Sequence, residues 1–251
     1  MYLKNSVLEI ALLREELRLT LRGKKSEALL TASNPWEPRN LDGVETYTLY
    51  QIWPGIRGLF QELAAAFKAE FGSALEEPEA IAVVGMGRGY IPFDPRLTML
   101  TAYRGAWDGR PELAAELSEK LGAEIPADGA LVHLYEAVKN DEPYLPYVDY
   151  VTTLPGYIHW RLTGFRSLDR AGAAGLFPLD ETGQYDRLLL AKFDALVAGK
   201  LPKPLEDLLP EVLSDGEPAG TLTREGVRML DPSGELQEGI TFLAPRETES
   251  I

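Results

Sequence analysis

The chain has 251 residues, of which 45% are hydrophobic, and a formal net charge of −14. That is enough apolar material for a sizeable core and too much for a disordered chain, while the acidic balance argues against nucleic acid or anionic lipid as partners, since those need basic surface. There is no cysteine, which excludes a disulfide framework and a thiolate zinc site, and the two histidines, His133 and His159, lack ligand spacing.

The first thirty residues admit a helix from Leu3 to Leu21. Leu17, Leu19 and Leu21 nevertheless alternate with Arg18, Thr20 and Arg22, the period of a half-buried strand. The favoured reading is a meander over 7–12, 16–21 and 27–33, turned at Gly23-Lys24-Lys25. The N-terminal stretch has carboxylates within its apolar part and no small-residue cleavage site, so no signal peptide is expected. No apolar run nears the roughly 20 residues of a membrane span. The expected compartment is the cytoplasm.

Residues 34–46, rich in Pro, Asn and Gly, read as a loop. Thr48 is placed to cap a helix to about Phe71, with Ile52, Ile56, Leu59, Phe60, Leu63 and Phe67 on one face, Pro54 in its early turns and Gly72 as its stop. Residues 80–84, AIAVV, form a continuous apolar run suited to a buried central strand, and 90–93 to a strand returning from it. Further helices are predicted over 108–121, 133–139 and 185–198, with Gly122 and Gly199 as stops. A strand over 149–153 leads into a short helix ended by Gly164. Residues 201–218 are Pro-rich connecting structure. A strand at 219–222, a helix capped by Thr223 and running to Leu230, and a strand at 240–243 precede a charged tail. No repeat or low-complexity linker divides the chain, so one α/β domain over 1–251 is expected.

Gly85-Met86-Gly87-Arg88-Gly89 follows the buried strand but is not a dinucleotide fingerprint. One residue rather than two precedes its third glycine, and β-type residues follow where a helix is needed. No phosphate loop of the G-x-x-x-x-G-K-[ST] type and no nucleophile elbow occurs. The run Ala171-Gly172-Ala173-Ala174-Gly175 implies close approach of another segment to the backbone. Tyr144, Tyr147, Tyr150 and Tyr157 fit either stacking on a sugar ring or a half-buried packed surface.

Several segments, read together, resemble a known family. They are Trp36-Glu37, Asp42-Gly43, the helix from Thr48, Met86-x-x-Gly89-Tyr90, Trp107-Asp108-Gly109-Arg110, the block 152–164 (TTLPGYIHWRLTG) and Ala219-Gly220-Thr221-Leu222-Thr223. In this order they resemble the N-terminal half of an FGGY-family carbohydrate kinase, the group containing xylulose, glycerol and ribulose kinases. The likeness covers nearly the whole chain, is most specific over 152–180 and is weakest over the first thirty residues.

The resemblance implies an actin-like, ribonuclease H-like α/β fold, a mixed sheet with flanking helices, as the first of two domains around a cleft. It also implies ATP-dependent phosphorylation of a sugar or polyol with magnesium. Arg88, Gly89, Tyr90, Trp107, Asp108 and Arg110 fall at the positions implied to bind substrate.

This sequence departs from the family pattern at the chemical centre. The phosphate-binding D-x-G-[ST] turn is matched by Ala11-Leu12-Leu13-Arg14-Glu15, without its acid and glycine, and a leucine side chain blocks close phosphate approach. The histidine of Met-x-His-Gly becomes Arg88, and the W-N-D-x-R pattern is one residue short. Gly172 stands where related kinases carry the aspartate that takes the proton from the attacking hydroxyl. Asp169, three residues earlier, is a weak substitute candidate; the reach a base needs favours a solvated loop acid. The same requirement favours packed or surface roles for both histidines.

With the likeness ending at Ile251, the expectation is a sugar-side domain without its nucleotide half, inactive alone. It would bind a sugar or polyol, or pair with a C-terminal-half protein, a full-length kinase or another copy of itself.

Overall fold

The computed structural model describes residues 5–247. It opens with the meander β1 (Val7–Leu12), β2 (Glu16–Arg22) and β3 (Ala28–Pro35), each antiparallel to the next. Leu8, Ile10 and Leu12 lie opposite Leu21, Leu19 and Leu17, so alternate leucines of both strands share one buried face. That two-residue period is why a strand and not a helix forms here. Residues 39–46, read as loop, instead form a hairpin of β4 (Arg39–Leu41) and β5 (Val44–Thr46). Asp42 and Gly43 both take positive φ, 51° and 88°, at its two-residue turn, the D-G signal for such a hairpin.

Helix α1 (Leu49–Phe71) covers the meander with the apolar face read from its sequence. The Gln51 side chain accepts from the Thr48 N–H at 3.1 Å, and Gly72 ends the helix at φ 73°. β6 (Ala80–Gly85) is buried along its length and runs parallel to β1. The next strand, β7 (Gly89–Phe93), does not return to this sheet. It pairs with β8 (Arg104–Gly105) and later with β9 (Tyr150–Thr152). Two glycines make that departure: Gly85 at φ 140°, where a Cβ would clash with the Leu12 carbonyl, and Gly89 at φ 152°.

Beyond β8 come α2 (Pro111–Leu121) and α3 (Ala130–Lys139). The start of α2 is later than its sequence suggested, because Pro111 takes the first helical position and leaves Asp108 in the preceding loop. After β9, α4 (Leu154–Thr163) is capped by the Thr153 hydroxyl, which accepts from the Gly156 N–H at 3.2 Å. β10 (Ser167–Asp169), α5 (Arg170–Leu176), α6 (Arg187–Leu196) and β11 (Glu211–Leu213) follow. β11 lies inside the stretch read as connecting structure and pairs in parallel with β10. Last come β12 (Pro218–Thr221), α7 (Arg224–Leu230), β13 (Thr241–Leu243) and β14 (Arg246–Glu247). β14 lies within the charged tail and pairs with the end of β6.

The main sheet is mixed, in the order β12-β13-β6-β1-β2-β3, with β14 also on β6. One core cluster joins this sheet to α1, α4 and α7; a second lies among α2, α3, α5 and α6. The α/β class expected from the sequence is the one observed. Among the described residues no helix is long and apolar enough to cross a membrane.

Candidate functional site

β10 delivers Asp169 to the start of α5. Its N–H donates to the Pro245 carbonyl at 3.0 Å and its Oδ1 accepts from the Gly172 N–H at 2.8 Å. Asp169 is therefore a helix cap, and at 3% exposure it is not the solvated loop acid that the sequence favoured. Burial pushes its carboxyl up to about 6, against the opposing pull of the Gly172 amide. Gly172 points no side chain at anything, and Gly175 lies under segment 86–89: a Cβ there would sit 3.2 Å from the Gly87 carbonyl oxygen. The small-residue run thus permits the close packing anticipated for it.

The Leu13 N–H donates to the Glu16 carbonyl and the Met86 N–H to the Leu12 carbonyl, each at 3.0 Å. Those two amides are engaged within the fold and are not free to cradle an anion. Among the described residues no group of three or more His, Asp or Glu side chains is arranged to hold a metal ion. The turn at 11–15 lacks the aspartate and the glycine that the resemblance implies for phosphate and metal, so it does not fit a magnesium nucleotide in that way.

The implied substrate residues separate into two groups. Arg88 turns to Asp128 at 3.0 Å and Glu247 at 3.6 Å. Gly89 packs against Tyr103, whose ring a Cβ would overlap. Tyr90, implied to bind substrate, is 1% exposed; its hydroxyl meets that of Tyr144 at 3.2 Å and its ring stacks on His133.

Trp107, Asp108 and Arg110 form a second, charged rim. The Trp107 indole N–H donates to the Glu45 carbonyl at 3.0 Å, the edges of Tyr47 and Tyr103 flank it, and the Arg14 guanidinium lies 4.0 Å over its ring. Arg14 also pairs with Glu45 at 2.5 Å, and its carbonyl accepts from the Tyr47 hydroxyl. Asp108 accepts from Arg104 at 2.8 Å and Arg110 at 2.5 Å, and Arg110 reaches Glu136 at 2.9 Å. Burial pushes the Asp108 carboxyl up, but the two arginines outweigh it and hold it below its usual range. His133, with its side chain fully buried, stands 3.9 Å from Glu136; burial lowers it to about 4.

Sequence reading missed Arg14, Glu45, Arg104, Asp128, Glu136 and Glu247. Arg104 carried a signal, standing four residues before Asp108; Glu247 carried none, because only the pairing of β14 brings it beside Arg88. The four tyrosines form no shared platform. Tyr157 stacks on Phe93, Tyr150 lies under Arg166, Tyr144 meets Tyr90 and Tyr147 is 65% exposed.

No protein-family model and no curated protein matches the chain. Solved structures do. Over 96% of this chain it superposes on 49% of a xylulose kinase from Rhodospirillum rubrum, at 20% identity and a TM-score of 0.77. A gluconate kinase from Lactobacillus acidophilus matches at 15% and 0.76, with 96% of this chain on 48% of that one. A glycerol kinase from Plasmodium falciparum, solved with ADP, matches at 14% and 0.75, with 97% on 48%. The chain therefore spans about half the length of the kinases it superposes on. It has the fold of one half of a carbohydrate kinase, the actin-like α/β arrangement of mixed sheet and flanking helices.

Proposed function

We propose that this chain is a carbohydrate-kinase-like domain that does not transfer phosphoryl groups by itself and acts through binding. The observation that carries this is the start of α5. The position implied to hold the base is Gly172, and the acid three residues before it, Asp169, uses Oδ1 to cap the Gly172 amide at 2.8 Å. Losing a positioned base costs roughly 10²- to 10⁴-fold in rate. Losing the phosphate and metal contacts of the β1–β2 turn costs further factors of similar size. Because the chain spans about half of the kinases it superposes on, any phosphoryl transfer would also draw on nucleotide-side residues from outside these 251.

The test is incubation with ATP, magnesium and a panel of sugars and polyols. Background turnover is expected; turnover abolished by Asp169→Ala overturns the proposal. A second reading, retained sugar recognition, is favoured by the rim of Trp107, Asp108 and Arg110, which keeps an acid and a base beside an indole. Calorimetry with pentoses, pentitols, hexoses and glycerol distinguishes it: heat abolished by Asp108→Ala supports the rim as a sugar site, and no heat leaves a protein partner as the ligand.

A further inference from the structure

Two surface helices of similar length treat their outer faces differently. α2 turns Glu112, Glu119 and Lys120 to solvent. The inner side of α6, Leu189, Leu190 and Phe193, packs into the second core cluster, but its outer side is Leu188, Ala191 and Ala195. All three are exposed, Leu188 by 75%. They recur at i, i+3 and i+7, so they form one apolar ridge where an amphipathic surface helix carries polar residues. An exposed apolar ridge in a chain of net charge −14 marks a contact surface.

The charges beside the ridge identify its occupant. Arg187 and Asp194 stand seven residues apart, about two turns, so both lie on the same flank of the ridge. Among the described residues neither is in an ion pair; Asp194 accepts from the Leu205 N–H at 2.9 Å through Oδ1 alone. A two-fold axis sets a second α6 antiparallel to the first and brings the same flank of each together. In the register where Arg187 meets the second copy's Asp194, its Arg187 meets Asp194 in return. Leu188 then seats between the second copy's Ala191 and Ala195, whose small side chains leave room for it, and the two Ala191 residues face each other at the axis. Such a seam is knob-into-hole packing with opposite charges along its flank. On the other flank Lys192 is drawn aside, its Nζ donating to the Leu121 carbonyl at 2.6 Å. The face is complementary to itself in shape and in charge.

We propose that α6 is a self-association face through which two copies of this chain pair antiparallel, with Leu188 as the anchor. One helix from each side makes a contact at the small end of specific interfaces, below about 1,200 Å², so the dimer is weak and concentration-dependent.

Sedimentation of the full chain at about 100 µM, where a small interface is populated, is expected to show a dimer. Leu188→Glu drives a carboxylate into the gap between Ala191 and Ala195 and is expected to leave a monomer. Arg187→Glu replaces both ion pairs by like charges and is expected to raise the dimer Kd about tenfold. Both positions are exposed, and circular dichroism checks that the fold is kept. The register has its own readout, because the chain has no cysteine. Ala191→Cys, at the axis, is expected to give a disulfide-linked dimer on mild oxidation, well ahead of Ala65→Cys on the exposed side of α1. A monomer at that concentration overturns the proposal. So does a dimer insensitive to Leu188→Glu or to Arg187→Glu, or one in which Ala65→Cys crosslinks as fast as Ala191→Cys.

Discussion

The rim around Asp108 and the start of α5 both stand where the resemblance implies functional acids, and they treat charge in opposite ways. At the rim, Asp108 sits between Arg104 and Arg110, and its carboxyl is held below the usual range. At α5, Asp169 has one amide donor and, among the described residues, no cation within bonding distance, and burial raises its carboxyl to about 6. The first region is a closed network in which every charge has a partner. The second is a helix cap whose charge the fold resists. Keeping an acid and a base in the expected order therefore says little about chemistry until their partners are known.

The largest expected effect separates these regions by pH. His133 beside the rim, and His159 beneath β12, are lowered by burial from 6.5 to about 4. A depressed group stabilises the fold above its unfolded pKa and loses that contribution as pH falls through the folded one. Each histidine thus removes about 3 kcal/mol between pH 6.5 and 4. Asp169 has the opposite sign: its contribution is present below 3.8 and lost as pH rises through about 6. Two histidines outweigh one aspartate, so urea unfolding should show lower stability at pH 4 than at pH 7. His133→Met should remove about 3 kcal/mol of that acid loss. An unchanged loss in the variant would show that His133 titrates normally.

Next in size is Asp169→Asn, which keeps an oxygen to accept from the Gly172 amide and removes only the charge. It is expected to stabilise the protein by about 3 kcal/mol at pH 8 and to leave it nearly unchanged at pH 4. Chemical unfolding at the two pH values measures both. Destabilisation at pH 8 would mean that the carboxylate charge has a favourable partner, and would return Asp169 to the list of candidate bases.

Elements whose cause is local were legible. Alternating leucines announced β2, Thr48 and Gly72 bounded α1, and Thr153 and Gly164 bounded α4. What failed had distant causes. The residues of β7 suit a strand returning along β6, but the glycines at 85 and 89 send it to another sheet. β11, three residues long, and β14, two residues long and polar, form only because β10 and β6 offer them an edge. At the site, the W-D-G-R segment was visible as a motif. Its pairing with Glu136, and the guanidinium of Arg14 over Trp107, depend on chain segments far apart in sequence. The burial of Asp169 was hidden for the same reason: the Pro245 carbonyl that holds its backbone comes from the last strand region.

The smallest effect tests whether the rim is one network or two. Arg14 touches Trp107 and Glu45, whereas Arg110 touches Asp108 and Glu136, and the two arginines share no partner. Arg14→Ala removes a stacked guanidinium and a surface ion pair, each worth about 0.5–1 kcal/mol at a site this exposed. Independent groups add, within about 0.5 kcal/mol, so the Arg14→Ala and Arg110→Ala losses should sum in the double variant. Trp107 emission should change with Arg14→Ala and hold steady with Arg110→Ala. Coupling above about 1 kcal/mol would instead join Trp107 and Asp108 into one unit, and the indole and the carboxylate would then have to be treated as a single recognition surface.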